Sequence, residues 1–316
     1  MAALTAAWNT GSAASRGIAC ILIATLLFSI YGALTKWLAA SYGPAQIIFF
    51  RGVFGFLPIA FLVYQAGGLR SLRSKHPVLQ LVRGACGLAS NVCFILAYRQ
   101  MPLADAFAIA YAAPIFVTVL SIPLLSERVG LHRWSAVAVG FMGVLIVTQP
   151  GSGVFGAPAL LALAGTFLYA LVIIATRRLG KDESAVCTMV YSTALFTLAA
   201  ALVLPFEWRT PSAVDLGLFA ALGTLGGVGM FLLVQAYRLA AAALIAPFDY
   251  TAMVWAVVLG LAIWGDVPSA ATLTGIAVIL ASGLYIAHRE TVRKGRVETG
   301  GAAAPADGTG AEKARR

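Results

Sequence analysis

A chain of 316 residues that is 60% hydrophobic and only 11% charged, with a mean hydropathy of +0.90, lacks the polar surface that a water-soluble fold of this length needs. Its formal charge of +10 does not indicate nucleic acid, because no basic stripe is interleaved with aromatics. In a membrane protein Lys and Arg gather instead in cytoplasmic loops.

Apolar runs bounded by charge, Pro or Gly lie at about 17–38, 44–66, 79–100, 102–124, 131–149, 157–179, 184–205, 213–237, 241–263 and 270–288. At about 1.5 Å per helical residue, each is close to the length that crosses ~30 Å of hydrocarbon. The expected fold is an all-α membrane protein of ten transmembrane helices joined by short loops. The first run is too long for the apolar core of a signal peptide and is expected to be retained. Residues 1–16 read as a cytoplasmic N-terminus. Residues 289–316, rich in Gly, Ala, Pro and charge, read as a disordered basic cytoplasmic tail. The four cysteines (Cys20, Cys86, Cys93, Cys187) lie inside apolar runs without CxxC spacing and read as packing residues.

With the amino terminus inside, eighteen of the 22 Lys and Arg residues fall on inner segments, Arg83 among them. Without the tail, eleven still lie inside against three outside, Arg99, Arg209 and Lys36, so both termini are expected in the cytoplasm.

The chain also repeats itself. Gly84, Gly87, the run Ala97, Tyr98 and Arg99, Tyr111 and Glu127 are echoed 139 residues later by Gly223, Gly226, Ala236, Tyr237 and Arg238, Tyr250 and, as an acid, Asp266. A constant offset without gaps marks an internal duplication, with halves at 17–149 and 157–288. Five crossings separate each landmark from its echo, so the halves are expected to be inverted in the bilayer, an arrangement that supplies outward- and inward-facing states.

Two five-helix halves resemble the drug/metabolite transporter superfamily, in its EamA-type branch. The resemblance rests on FSIYGALTKWL (28–38), QIIFFRG (46–52), the stretch 97–129 beginning AYRQMPLADAF, and APFDYTAMVWAVVLGLAIWGDVP (246–268). The last segment is similar to bacterial riboflavin importers and S-adenosylmethionine uptake proteins of that group. The resemblance implies transport across the inner membrane, and a central cavity lined by helices 3, 4, 8 and 9.

Polar groups inside apolar runs are candidates for the work, because lipid makes them costly. Asp249 follows Pro247, which opens its helix locally, and sits beside Tyr250 and Thr251. It either carries coupling or substrate contact, or is satisfied by neighbouring groups. Arg51 either attracts an anionic moiety or pairs structurally. Asn91 either bonds a neighbouring helix or faces the cavity. Tyr111 and Tyr250, the repeat-related pair, together with Tyr169 and Trp255, offer rings that stack on a substrate or simply fill space. Pro114 and Pro247 are candidate hinges. Lys36 reads as a snorkelling residue, and Asp105 as a helix-start carboxylate within reach of Arg99. Glycines in RGACG (83–87), GFMG (140–143) and GTLGGVG (223–229) allow close helix approach.

No Walker A loop, HExxH or GxSxG occurs, and His76, His132 and His288 stand far apart, so no cofactor or metal is expected. The leading reading is a secondary transporter of a small metabolite, a vitamin such as riboflavin or S-adenosylmethionine. The alternatives are an amino-acid or drug exporter of the same fold, an intramembrane enzyme and a channel-like subunit. Expected partners are a small-molecule substrate and the bilayer, with a homodimer left open. In a chain whose four cysteines are replaced, cysteines placed at Arg99 and Arg238 are expected to react with an impermeant thiol reagent from opposite faces. Labelling of both from one face would contradict the inversion.

Overall fold

The computed structural model describes residues 13–65, 68–126, 131–149, 156–179, 183–240, 242–282 and 285. The expected tail at 289–316, Glu127 and the first twelve residues lie outside them. Among the described residues the chain is helical and has no strand. Seven helices are long and apolar enough to cross a membrane, and three shorter apolar helices accompany them.

In chain order the helices are α1 (Ala13–Ala39), α2 (Pro44–Gln65), α3 (Pro77–Tyr98), α4 (Leu103–Ala110), α5 (Ala113–Leu125), α6 (Leu131–Thr148), α7 (Ala157–Leu179), α8 (Ala185–Glu207), α9 (Ala213–Leu239), α10 (Ala242–Asp249) and α11 (Thr251–Trp264). The last is α12 (Ala270–Ser282). Local sequence sets their ends. Pro77 opens α3 where a missing N–H costs nothing. The hydroxyls of Ser184 and Ser212 accept the N–H groups of Cys187 and Asp215 at 3.0 and 3.1 Å, capping α8 and α9. Gly265, at φ 69°, ends α11 in the left-handed conformation that glycine adopts without strain.

Large apolar side chains point outwards: Leu202 and Phe206 on α8 are 77% and 87% exposed. Exposure on that scale is expected when lipid, not water, is the outer solvent.

Packing runs mainly between the two halves of the chain. On α3, Ser90 donates to the Gly165 carbonyl and Arg83 to Thr176, so α3 and α7 run antiparallel. On α9, Gly229 meets Phe28 and Gly226 meets Tyr31, while Ala236 approaches Gly17, so α9 runs antiparallel to α1. The two echo glycines act crosswise. A Cβ on Gly84 would strike Leu195 of α8, and one on Gly223 would strike Phe54 of α2. Of the GFMG glycines, Gly143 lets α6 approach the backbone of α12 at Gly275.

The α2–α8 pair is fastened at both ends. At one end the Gln46 amide donates to the Arg209 carbonyl (2.6 Å) and accepts from its N–H (3.0 Å), while the Tyr42 hydroxyl donates to Asp215 (2.8 Å). Beside this clasp Phe219 stacks on Phe50 at 4.8 Å. At the other end Glu183 Oε1 accepts from the Ser74 hydroxyl and from the N–H groups of Lys75 and His76. Burial works to raise that carboxyl, but these hydrogen bonds outweigh it and hold the carboxyl below its ordinary range. The second clasp therefore stays charged at neutral pH.

Two expectations are corrected. Lys36 does not only snorkel: its ammonium pairs with Asp266 at 2.8 Å and lies 4.6 Å from the Trp264 ring centre. Asp105 accepts from Thr272 at 2.7 Å rather than from Arg99, because the start of α12 brings that hydroxyl to it.

Gly223→Ala is expected to destabilise the chain by about 1–3 kcal/mol, since its Cβ would meet backbone atoms that cannot move aside. Gly217→Ala, which meets nothing within 4 Å, serves as the neutral control in a thermal melt of detergent-purified protein.

Candidate substrate cavity

Two groups of candidate residues form, the first on α1, α2 and α3 and the second on two helical runs that the duplication relates. The first surrounds Arg51. Its Nη1 donates to the Tyr31 hydroxyl and to Asn91 Oδ1, the latter at 2.7 Å. Asn91 is held in turn by donating its amide N–H to the Gly87 carbonyl at 2.7 Å. The guanidinium carbon stands 5.7 Å from the Phe196 ring centre. Arg51 and Tyr31 line a cavity of about 360 Å³, walled by Phe28, Phe196 and glycines of α2 and α9. Sequence reasoning named Arg51 and Asn91 and missed Tyr31, although Tyr31 lies in the FSIYGALTKWL motif. A second hollow of about 470 Å³, lined by groups such as Ile30, Trp37 and Leu218, is apolar apart from Ser212 and Asp215 and contains none of the candidates.

The second group gathers where two helical runs are broken. The run at 102–124 is interrupted between α4 and α5 at Tyr111 and Ala112, and the run at 241–263 between α10 and α11 at Tyr250. Pro114 accounts for the first break. It has no N–H and its ring crowds the carbonyl four residues back, which belongs to Ala110, the last residue of α4. Pro247 lies inside α10, two residues before its end.

At the second break Met253 N–H bonds the Tyr250 carbonyl instead of the Asp249 carbonyl. The Asp249 carbonyl is taken by the Tyr111 hydroxyl at 2.9 Å. The rings of Tyr111 and Tyr250 stand 5.5 Å apart. The echo pair of the sequence thus meets with its rings tilted by 43°, each member at its own helix interruption.

Around the Asp249 carboxyl stand Tyr111, Tyr169, Tyr237 and Tyr250, all close enough to feel its charge. Among the described residues no hydrogen bond or ion pair reaches that carboxylate. Thr251 is committed elsewhere. Its hydroxyl donates to the Phe248 carbonyl at 2.7 Å and bonds Thr25 at 2.8 Å, tying α11 to α1 together with the Ser29 bond to the Ala252 carbonyl. The Trp255 Nε1–H is buried without a hydrogen-bond partner among the described residues.

Arg83, counted with the inner-side cations, lies in the second turn of α3, and its side chain donates to Thr176 at 2.7 Å and Ser192 at 2.5 Å. Along α3, Asn91 and Arg83 are separated by eight residues, about 12 Å of helix rise. Among the described residues no hydrogen bond or ion pair joins Arg51 to Asp249. Among the described residues no cluster of His, Cys, Asp and Glu could hold a metal.

Tyr111→Phe deletes the one side-chain donor to the Asp249 carbonyl and is expected to cost about 1–3 kcal/mol, as for a buried acceptor left unmet. Tyr250→Phe, whose hydroxyl makes no bond among the described residues, is expected to melt within about 0.5 kcal/mol of the parent. Equal losses in thermal melts would remove the special role of the Tyr111 hydroxyl.

The sequence matches the model of the EamA-like transporter family twice, over residues 15–149 and 156–287. It is 25% identical to an S-adenosylmethionine uptake transporter of Rickettsia prowazekii over 275 residues, covering 87% of this chain and 93% of that one. A pseudopaline exporter, CntI, of Pseudomonas aeruginosa is 31% identical over 271 residues, covering 84% and 94%. A riboflavin transporter of Rhizobium johnstonii is 29% identical over 278 residues, covering 87% and 91%. One solved crystal structure superposes with a TM-score of 0.60 at 22% identity, covering 87% of this chain and 98% of that chain, which is a likeness of fold alone. With its double match across nearly the whole helical region, this multi-pass membrane chain belongs to the EamA-like transporter family.

Proposed function

We propose that the chain is a secondary carrier that moves a small metabolite across the bacterial inner membrane by alternating access. In this reading ten transmembrane helices form two inverted repeats, 17–149 and 157–288, with both termini cytoplasmic. The observation that carries it is the apposition of Tyr111 and Tyr250, 139 residues apart in sequence and 5.5 Å apart as rings, each at the interruption of its own helix. Broken helices facing each other near mid-membrane are the parts from which carriers build a site that two states share. The inversion is supported by packing. Tyr98 lies with Ala33 at one end of α1, and Ala236 lies with Cys20 and Ile21 towards the other.

In this proposal Arg51 and Asn91 contact substrate, as do the rings of Tyr111, Tyr169, Tyr250 and Trp255. Thr251 fixes α11 to α1, and Pro114 and Pro247 are the hinges. The names of the relatives support uptake of S-adenosylmethionine or riboflavin. The 31% identity to a pseudopaline exporter favours a second reading, export of an amino-acid-derived metabolite or drug. An intramembrane enzyme would turn its substrate over, and a channel-like subunit would pass it without saturation.

Purified chain in proteoliposomes, offered S-adenosylmethionine, riboflavin, amino acids and nucleosides, is expected to show saturable flux with trans-stimulation for at least one of them. Flux that never saturates would overturn the carrier reading. Coupling is assigned to Asp249, whose carboxylate has no ion-pair partner among the described residues. Asp249→Asn is expected to abolish proton-driven uphill accumulation and to spare counterflow. Undiminished accumulation would remove Asp249 from coupling.

A further inference from the structure

An arginine inside a membrane is costly unless something neutralises it. Among the described residues no carboxylate reaches Arg51: both of its hydrogen-bond partners, Tyr31 and Asn91, are neutral. Of the residues that line its cavity, Arg51 alone is charged. The pattern of its bonds is also one-sided. Nη1 makes both of them, and Nε and Nη2 make none among the described residues. Those two groups form the edge of the guanidinium that grips a planar carboxylate through two parallel N–H···O bonds.

Tyr31 and Asn91 therefore do more than satisfy a charge. They pin Nη1, and Asn91 is itself pinned to the Gly87 carbonyl, so the guanidinium plane is fixed before a ligand arrives. The guanidinium carbon lies over the Phe196 ring, 5.7 Å from its centre. Gly52, Gly55, Gly226 and Gly227 leave the wall without side chains, and a Cβ at Gly55 or Gly226 would meet only ordinary contacts.

We propose that Arg51, oriented by Tyr31 and Asn91, forms a carboxylate subsite, so that the transported solute is an amino-acid-like or other carboxylate-bearing metabolite rather than a neutral ring compound. One guanidinium without a Lys or second Arg in the lining suits a carboxylate better than a phosphate dianion. The proposal rests on the carrier reading only in holding that what binds there is also moved.

The test is binding to the purified full-length chain in detergent, read by ligand-induced thermal shift and intrinsic fluorescence. The probes are matched sets: S-adenosylmethionine with its decarboxylated analogue, L-tryptophan with tryptophan amide and tryptamine, and riboflavin as the neutral ring. The expected result is that at least one carboxylate probe binds, and that it binds about tenfold or more tightly than its decarboxylated or amidated counterpart, the weight of a charge-assisted pair. In Arg51→Gln that ratio falls to near one, and Arg51→Lys retains part of it. Asn91→Asp supplies the guanidinium with an internal counter-charge at the cost of the bond to the Gly87 carbonyl, and is expected to weaken every acid relative to its amide or decarboxylated counterpart. It keeps the idea testable should Arg51→Gln fail to fold. The proposal is overturned if no acid binds, if riboflavin or an amide binds as well as the acids do, or if the ratio survives in Arg51→Gln. Acid-selective binding without flux in proteoliposomes would sink the carrier reading and leave the subsite. Saturable flux indifferent to the carboxylate would sink the subsite alone.

Discussion

Lipid offers no hydrogen bonds, so a helix that breaks inside it must find a protein partner for every backbone group it releases. That constraint governs the centre of this chain. Where α10 gives way to α11, the Asp249 carbonyl loses its helical donor and receives the Tyr111 hydroxyl. Near the other break, the Thr166 hydroxyl reaches the carbonyls of Ala162 and Ile109 at 2.8 and 3.3 Å. An irregular backbone is tolerated only because the neighbouring helix supplies the missing donor. The same bond ties the two halves together at the level of Asp249.

Around that centre, glycine sets the distances and polar clasps set the ends. Gly84 and Gly223 each admit the second helix of the other half, and the Gln46–Arg209 and Glu183–Ser74 contacts fasten α2 to α8 at opposite ends. The energetics differ with depth. Near the centre, dispersion at close glycine contacts and a few buried hydroxyl bonds hold helices together, since apolar burial gains little between protein and lipid tails. At the ends, water is nearby, and charged groups such as Glu183 and the Lys36–Asp266 pair are affordable.

Much of this was legible from residues alone. The runs placed the helices, the constant offset of 139 paired Tyr111 with Tyr250, and the cost of charge in lipid singled out Arg51 and Asp249. What escaped was long-range and side-chain specific. Arg83 enters the charge count as one more inner-side cation, and nothing in the sequence shows that its side chain reaches hydroxyls on α7 and α8. Nothing in the sequence around Tyr31 marks its hydroxyl as the acceptor for Arg51, twenty residues on. Asp105 had a cation six residues away in sequence, and its actual partner, Thr272, lies 167 residues on. Even the helix breaks were only half readable. Pro114 dictates its break through Ala110, whereas the break at Tyr250 follows Pro247 by three residues.

The crosswise packing bears on how the molecule is made. The surfaces that α1, α2 and α3 bury are presented chiefly by α9, α8 and α7, all of which leave the ribosome later. Through much of synthesis, the glycine-rich side of α3 must wait in the bilayer or the insertion machinery without its final neighbours, while Arg51 already has Tyr31 and Asn91 on α1 and α3. Biogenesis of this chain is then a late, collective closure of the second half onto the first, and its most vulnerable period falls between the emergence of α6 and that of α9.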